Sequence, residues 1–137
     1  MTALPRYAMS RTVELPFEEA DRRVRDELKK EGFGILTEID VQATLKEKLG
    51  VEFTPYKILG ACNPPLAHQA LQAEPDVGLL LPCNVVVRSL PEAGRTVVEI
   101  LDPAVQFELS GNDSLRHLAH EARSRLERAL GRLTGEG

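Results

Sequence analysis

The chain has 137 residues, of which 42% are hydrophobic and 28% are charged, and this composition is typical of one globular domain rather than of a disordered or membrane-embedded chain. Its formal net charge of -4 opposes binding to nucleic acid or to anionic lipid. No apolar run approaches the roughly 18 residues of a bilayer span, and the N-terminus lacks the features of a signal peptide, so we expect a cytoplasmic protein with no membrane partner.

The first third of the chain predicts a strand, a helix and a second strand. Hydrophobic and polar residues alternate from Ala8 to Leu15, as in a half-buried strand. A helix from Pro16 to Glu31 follows, because proline suits a first helical turn, apolar residues then recur at helical spacing, and Gly32 ends the pattern. One side of the next strand would carry Phe33, Ile35, Thr37 and Ile39. We expect this strand to pair antiparallel with the first.

The middle of the chain predicts a short helix, a strand and another helix. Asp40 is placed to cap a helix from Val41 to Leu49 that Gly50 closes. A strand is then predicted over Phe53–Ala61. Asn63, followed by Pro64 and Pro65, has the pattern of a helix start, with Leu66, Ala67, Ala70 and Leu71 on its apolar face.

The last third predicts a hairpin and a long helix. Two valine-rich strands, Asn84–Leu90 and Arg95–Leu101, are joined by the short turn PEAG. Asp102-Pro103 ends the second strand, and Asn112 or Asp113 caps a final amphipathic helix. We therefore predict an α+β fold in two layers: a mainly antiparallel sheet of about five strands, with helices packed on one face. Residues 1–137 would form a single domain, with 134–137 as a frayed tail.

Three blocks of sequence carry a family resemblance: LTEIDVQATLKEKLGV at 36–51, PYKILGACNPPLAH at 55–68 and GLLLPCNVVV at 78–87. With these blocks the chain resembles the domain of unknown function 302 family. The resemblance implies a sheet with packed helices, similar in outline to the TATA-binding-protein-like fold, and it suggests a homodimer. It implies no activity, cofactor or catalytic residue, and similarity of outline to a DNA-binding fold does not carry DNA binding with it.

The segment Lys57–His68 holds the candidate binding residues Lys57, Cys62, Asn63 and His68. One interpretation makes Cys62 a thiol of low pKa at a helix start, with His68 as a base and Lys57 or Asn63 as anion partners, for thiol-dependent catalysis or redox chemistry. The favoured interpretation makes Cys62 a small buried hydrophobic residue.

A disulfide between Cys62 and Cys83 is not expected. In a reducing compartment two cysteines are more typically free thiols. In addition, a crossover between the two strands would place the end of one and the start of the next at opposite edges of the sheet.

Two further groups of polar residues have alternative interpretations. Asp113, His117, His120 and Ser124 share the polar face of the last helix, where a zinc ion could bind, but a solvated polar face is favoured and no metal is predicted. Glu38 and Asp40 could act as an acid and base pair or bind a cation, although helix capping by Asp40 is favoured.

Arginines in or beside the strands, namely Arg11, Arg88 and Arg95, could contact an anionic ligand or a dimer partner, but solvent exposure on a polar sheet face is favoured. The leading hypothesis is a homodimeric module that binds a small molecule or a protein partner near the Lys57–His68 segment. The alternative is a thiol-dependent enzyme or redox protein using Cys62 with His68. No cofactor is predicted for either.

Overall fold

The computed structural model describes residues 5–92 and 94–133. The strands are β1 Ala8–Val13, β2 Gly34–Asp40, β3 Tyr56–Cys62, β4 Cys83–Ser89 and β5 Thr96–Leu101. The helices are α1 Phe17–Lys30, α2 Val41–Leu49, α3 Pro64–Ala73, α4 Pro103–Glu108 and α5 Arg116–Gly131, with 3-10 helices at Pro75–Leu80 and Asp113–Leu115. The frayed tail predicted at 134–137 lies outside the described residues.

The five strands form one antiparallel sheet in the order β1-β5-β4-β3-β2. The predicted α+β architecture and the β4–β5 hairpin are confirmed. The prediction that the second strand pairs with the first was wrong, because β1 pairs with β5 and β2 pairs with β3. Helix α1 connects the two opposite edges of the sheet, so strands that are neighbours in sequence are the most distant strands in the sheet.

One face of the sheet is covered by α1 and α5. Helix α1 contributes Ala20, Val24 and Leu28 to the core, and α5 contributes Leu126 and Ala129. These side chains pack on strand residues that alternate in sequence and so point to the same side: Leu59, Ala61, Val85, Val87, Val98 and Ile100. This confirms the predicted two layers with helices on one face.

Strand β2 contains a bulge that changes which side chains share a face. Ile35 lies opposite Ala61, but Thr37 lies opposite Gly60, the next residue along β3. Ile35 and Thr37 therefore point to opposite sides of the sheet, and the prediction that they share one side was wrong. A bulge places two residues opposite one, which breaks the alternation that the prediction assumed.

The segment after β5 is more helical than predicted. Asp102 accepts a hydrogen bond from the backbone N–H of Ala104 at 2.9 Å and caps α4, with Pro103 in its first turn. Asn112 caps the short 3-10 helix rather than the long one, so α5 begins at Arg116. The Asp-Pro pair that ends a strand is also a helix start signal, and the prediction used only the first of these two meanings.

The other face of the sheet carries no helix of the main core. Ile39, Ile58 and Val86 lie side by side across β2, β3 and β4 on this face, and Ile39 is 51% exposed. On the same face Arg88 donates to Glu99 across β4 and β5 at 2.9 Å. Within the described ranges, no helix has the length and apolar character that a membrane span requires.

Candidate functional site

The packing leaves an apolar cavity open at the end of β3, with a volume of about 350 Å³. We call it the Cys62 cavity. Its walls come from β2, β3, α3, the 3-10 helix with the Leu81-Pro82 segment, α4 and α5. The lining residues are Phe33, Leu36, Thr37, Ala61, Cys62, Asn63, Leu66, Ala67, Leu71, Gly78, Leu81, Pro82, Cys83, Pro103, Gln106, Phe107, Leu118, Ala122 and Leu126. Segments distant in sequence therefore build one site.

The cavity is closed at its base and open at its rim. Phe107 and Leu118 at the base are 9% and 3% exposed, whereas Leu36 and Leu71 are 68% and 41% exposed. We therefore place the mouth between Leu36 on β2 and Leu71 on α3. Two large apolar side chains exposed beside an apolar cavity are typical of a ligand entrance rather than of a solvated polar surface.

The junction between β3 and α3 is fixed by Asn63. Its side-chain oxygen accepts a hydrogen bond from the Leu66 N–H at 3.2 Å, and its amide nitrogen donates to the Glu31 carbonyl at 3.5 Å. Asn63 is 5% exposed, so both ends of its amide serve the fold. The predicted helix start at this position is confirmed, and Asn63 lies in the cavity wall as a capping residue.

One wall of the cavity depends on the absence of a side chain at Gly60. A Cβ at this position would lie 2.8 Å from the Pro82 ring and would also collide with the Thr37 hydroxyl. The glycine therefore lets Thr37 of β2 and Pro82 close over β3. This contact brings the Leu81-Pro82 segment into the lining of the cavity.

Cys62 lies in the cavity wall as a half-buried thiol, and burial raises its pKa. This direction is opposite to the one that an activated thiolate needs. No side chain in residues 5–92 or 94–133 forms a hydrogen bond with its sulfur. The raised pKa favours the interpretation of Cys62 as a small hydrophobic residue over that of a reactive thiol, and a molecule bound in the cavity would touch it.

Cys83 also lines the cavity but is buried, and its thiol donates to the Leu101 carbonyl at 3.4 Å. Burial, together with the nearby charge of Asp102, raises its pKa to about 12. Both cysteines are free thiols. The predicted crossover, which would have placed the two cysteines at opposite edges of the sheet, was wrong. Strands β3 and β4 are adjacent and antiparallel, and Ala61 lies opposite Cys83. Cys62 follows Ala61 and so points to the other side of the sheet.

The other two residues of the predicted Lys57–His68 site lie elsewhere. His68 is exposed on α3 and does not line the cavity. Lys57 lies on the helix side of the sheet, with its ammonium 3.7 Å from Asp21 and 3.5 Å from Glu38. Its charge is therefore shared with two carboxylates. The structure brings Cys62 and Asn63 to the cavity and leaves Lys57 and His68 outside it.

The two carboxylates at the end of β2 have separate roles. Asp40 accepts a hydrogen bond from the Ala43 N–H at 2.9 Å, so the predicted cap is confirmed. Glu38 binds Arg25 and Lys57, and the hydrogen bond from Arg25 contributes most to lowering its pKa. Because each carboxylate already has other partners, the two do not form an acid and base pair.

The residues considered for zinc do not form a ligand set. Asp113 accepts from Arg116 at 2.9 Å, and His117 and His120 are exposed on α5. Nowhere in residues 5–92 and 94–133 do three or more His, Cys, Asp or Glu side chains form a group that could hold a metal ion. Of the strand arginines, Arg11 is exposed and Arg95 donates to Glu14 at 3.0 Å.

Sequence reasoning located one wall of the cavity and missed the others. Residues 78–83 and 103–107 were assigned to no helix or strand. The sequence contained a signal in each segment. Leu81-Pro82 after an apolar run indicates a break before the strand, and Asp102 before Pro103 indicates a helix start. Neither signal indicates that the two segments meet, because that contact is made only by the tertiary fold.

Comparison with known proteins places the chain in a family. The family model described as "Domain of unknown function DUF302" matches residues 9–133. A crystal structure of an uncharacterized conserved DUF302 protein from Bacillus stearothermophilus is similar, with 32% sequence identity, a TM-score of 0.85, and coverage of 93% of this chain and 98% of that chain. No curated protein matches the chain significantly. The chain belongs to the DUF302 family.

Proposed function

We propose that this protein is a binding module that holds a small molecule in the Cys62 cavity. The observation that carries this proposal is the cavity itself, whose volume of about 350 Å³ lies within the range of roughly 300–1,000 Å³ typical of ligand pockets. Most elements of the fold contribute residues to the lining, and the mouth lies between Leu36 and Leu71. Both features are typical of a preformed pocket.

The alternative explanation, a packing defect, has less support. Protein interiors contain few voids larger than a water molecule, since an empty space costs the contacts that its lining would otherwise make. In the main core, by contrast, Val24, Leu28 and Leu59 are each at 1% exposure or less. A bound molecule would restore the contacts that the lining of the cavity lacks.

Binding can be tested with a neutral fluorescent probe such as N-phenylnaphthylamine, whose emission rises in apolar surroundings. Ala67 lines the cavity from α3, so Ala67→Trp should fill it and lower probe affinity by at least about tenfold. Gln69→Trp is the matched control, since Gln69 is exposed on the same helix. Absence of probe binding to the unmodified protein, or equal binding by both variants, would overturn the proposal.

We further propose that the module is a homodimer joined through the uncovered sheet face. Support comes from the row of Ile39, Ile58 and Val86 on that face, which is apolar and carries no helix of the core. Two copies related by a two-fold axis would each bury this row against the other. The Arg88–Glu99 pair beside the row could supply polar contacts at the rim.

Light scattering during size-exclusion chromatography would measure the mass directly. We expect a dimer for the natural chain and a monomer for Val86→Arg, because an unpaired charge would be buried at the contact. Ser124→Arg on exposed α5 is the control and should remain dimeric. A monomeric natural chain at micromolar concentration would contradict the dimer without affecting the ligand proposal.

A further inference from the structure

The lining of the Cys62 cavity contains no Asp, Glu, Lys, Arg or His side chain. Its two amide side chains have existing partners. Asn63 caps α3 and reaches the Glu31 carbonyl, and Gln106 donates its amide N–H to the Leu80 carbonyl. Asn63 and Gln106 are 5% and 4% exposed, so little of either amide meets solvent. The cavity wall therefore offers almost entirely apolar surface to an occupant.

Cations that lie near the lining residues in sequence are already paired, and Arg123, next to Ala122, donates to Asp102 at 3.2 Å. Lys57 contacts Asp21 and Glu38, and Arg125 donates to Glu121 at 2.8 Å. Neither Lys57 nor Arg125 lines the cavity. An anionic group carried into the cavity would lose its hydration and gain no countercharge, and moving an unpaired charge into apolar surroundings is strongly unfavourable. The same argument applies to an ammonium group.

The volume limits the size of the occupant. An apolar cavity of roughly 150 Å³ in a protein core accommodates benzene, with its six carbon atoms. By proportion, a cavity of about 350 Å³ accommodates about twelve to fourteen carbon atoms. A straight chain or a pair of rings of this size has room, whereas a long fatty chain would extend past Leu36 and Leu71 into solvent.

We infer that the Cys62 cavity selects neutral apolar molecules of about twelve to fourteen carbon atoms and rejects charged ones, because its wall is apolar and uncharged. This inference rests on the proposed binding function and specifies the ligand class. Leu36 and Leu71 form the entrance, and the Cys62 thiol lies against the occupant. The thiol therefore reports on occupancy, since a bound molecule covers it.

The experiment is displacement of N-phenylnaphthylamine by a series of primary alcohols, the carboxylates of equal chain length and the matching alkylamines. We expect alcohol affinity to rise about fourfold per added methylene group until the chain reaches about twelve carbon atoms, and then to level off. Dodecanoate and dodecylamine should bind at least about tenfold more weakly than dodecanol. Ala67→Trp should weaken all alcohol binding, and the smaller Ala67→Leu provides a second test if the tryptophan variant does not fold.

A second readout locates the occupant. Dodecanol at saturating concentration should slow modification of Cys62 by N-ethylmaleimide at least about fivefold at about pH 8.5, as measured by peptide mass spectrometry. The protection should persist in Gln69→Trp. Protection that is equally strong with dodecanoate, or binding without any protection, would overturn the inference.

The two levels of the proposal fail in different ways. If neither the probe nor any alcohol binds, the binding function itself is wrong. If the probe binds but carboxylates compete as well as alcohols, binding stands and the neutral ligand class is wrong. If alcohol affinity does not depend on chain length, the inferred size limit is wrong.

Discussion

Beneath α1 the side chains of Ala20, Val24 and Leu28 are at most 1% exposed, whereas beside α3 the lining of the Cys62 cavity encloses about 350 Å³. Both regions are built on the same sheet and from the same kinds of residue. The difference is that α1 packs on the strands of the sheet, while α3, α4 and α5 all contribute to the lining of the cavity at the end of β3. Open space in this protein therefore arises at a junction of elements and not from a shortage of apolar residues.

Removal of side-chain volume should affect the stability of the two regions differently. Leu28→Ala beneath α1 should lower the free energy of unfolding by about 3–5 kcal/mol, since the side chain is fully buried and its neighbours cannot collapse. Leu66→Ala, in the cavity wall and half-buried, should lower it by only about 1–2 kcal/mol. Urea unfolding measures both values. Equal losses would mean that the two regions are packed alike.

Adding volume sharpens the same contrast. Ala20→Leu should cost about 1–3 kcal/mol, because Ala20 is completely buried beneath α1 and the extra atoms have no space. Ala67→Leu should change stability by about 0.5 kcal/mol or less, because its extra atoms enter the cavity. A large loss from Ala67→Leu, measured by the same unfolding curves, would argue against an open cavity in solution.

The packed region also contains an ion cluster that makes its stability depend on pH. Arg132 on the C-terminal side of α5 donates to Glu27 and Glu31 of the α1 segment at 2.8 Å each. The hydrogen bond from Arg132 is the main cause that lowers the pKa of both carboxyl groups. Since the pKa values are lowered in the folded state, their contribution is present at neutral pH and is lost as the pH falls below about 4.5.

Arg132→Met should therefore cost about 1–2 kcal/mol at pH 7 and progressively less in acid, where the natural chain loses the same contacts. The cost stays below that of a fully buried pair because Arg132 is 38% exposed. Arg116→Met is the control and should have almost no effect, since Arg116 and Asp113 are both largely exposed. A pH-independent cost of Arg132→Met would contradict the electrostatic explanation.

The smallest expected effect concerns the alkylation of the two thiols. Cys62 should react in the folded protein with a midpoint above the free-thiol pKa of about 8.5, and Cys83 only after unfolding. Peptide mass spectrometry across pH separates the two sites. A midpoint for Cys62 below the free-thiol value would instead favour the thiol-dependent enzyme.

Local signals allowed much of the fold to be predicted from the sequence. Asp40 and Asn63 mark helix starts by the hydrogen bonds that their side chains offer, and the valine-rich hairpin follows from alternation and a short turn. The pairing of β1 with β5 could not be predicted, since alternation determines which side of a strand is buried but not which strand lies beside it. The bulge in β2 escaped prediction because an extra residue leaves no compositional mark.

The candidate site was predicted less completely. Cys62 and Asn63 were identified because they precede a proline pair, and both line the cavity. Lys57 and His68 were grouped with them by proximity in sequence, but a strand and a helix direct these two side chains elsewhere. Gln106 and Phe107 were not considered, because only the tertiary fold brings α4 to the end of β3.

The edge position of β1 affects how the protein folds during its synthesis on the ribosome. Val13 pairs with Thr96 and Ala8 with Leu101, so β1 is synthesised before the other four described strands and its partner β5 after them. At typical translation speeds this strand waits on the order of 5–20 s before β5 emerges. During that time α1 can form, but β1 cannot join the sheet, because its partner β5 has not yet been synthesised. Chains that end before β5 should therefore be recognised by chaperones or proteases, whereas in chains that include β5 the pairing of β1 is a late step.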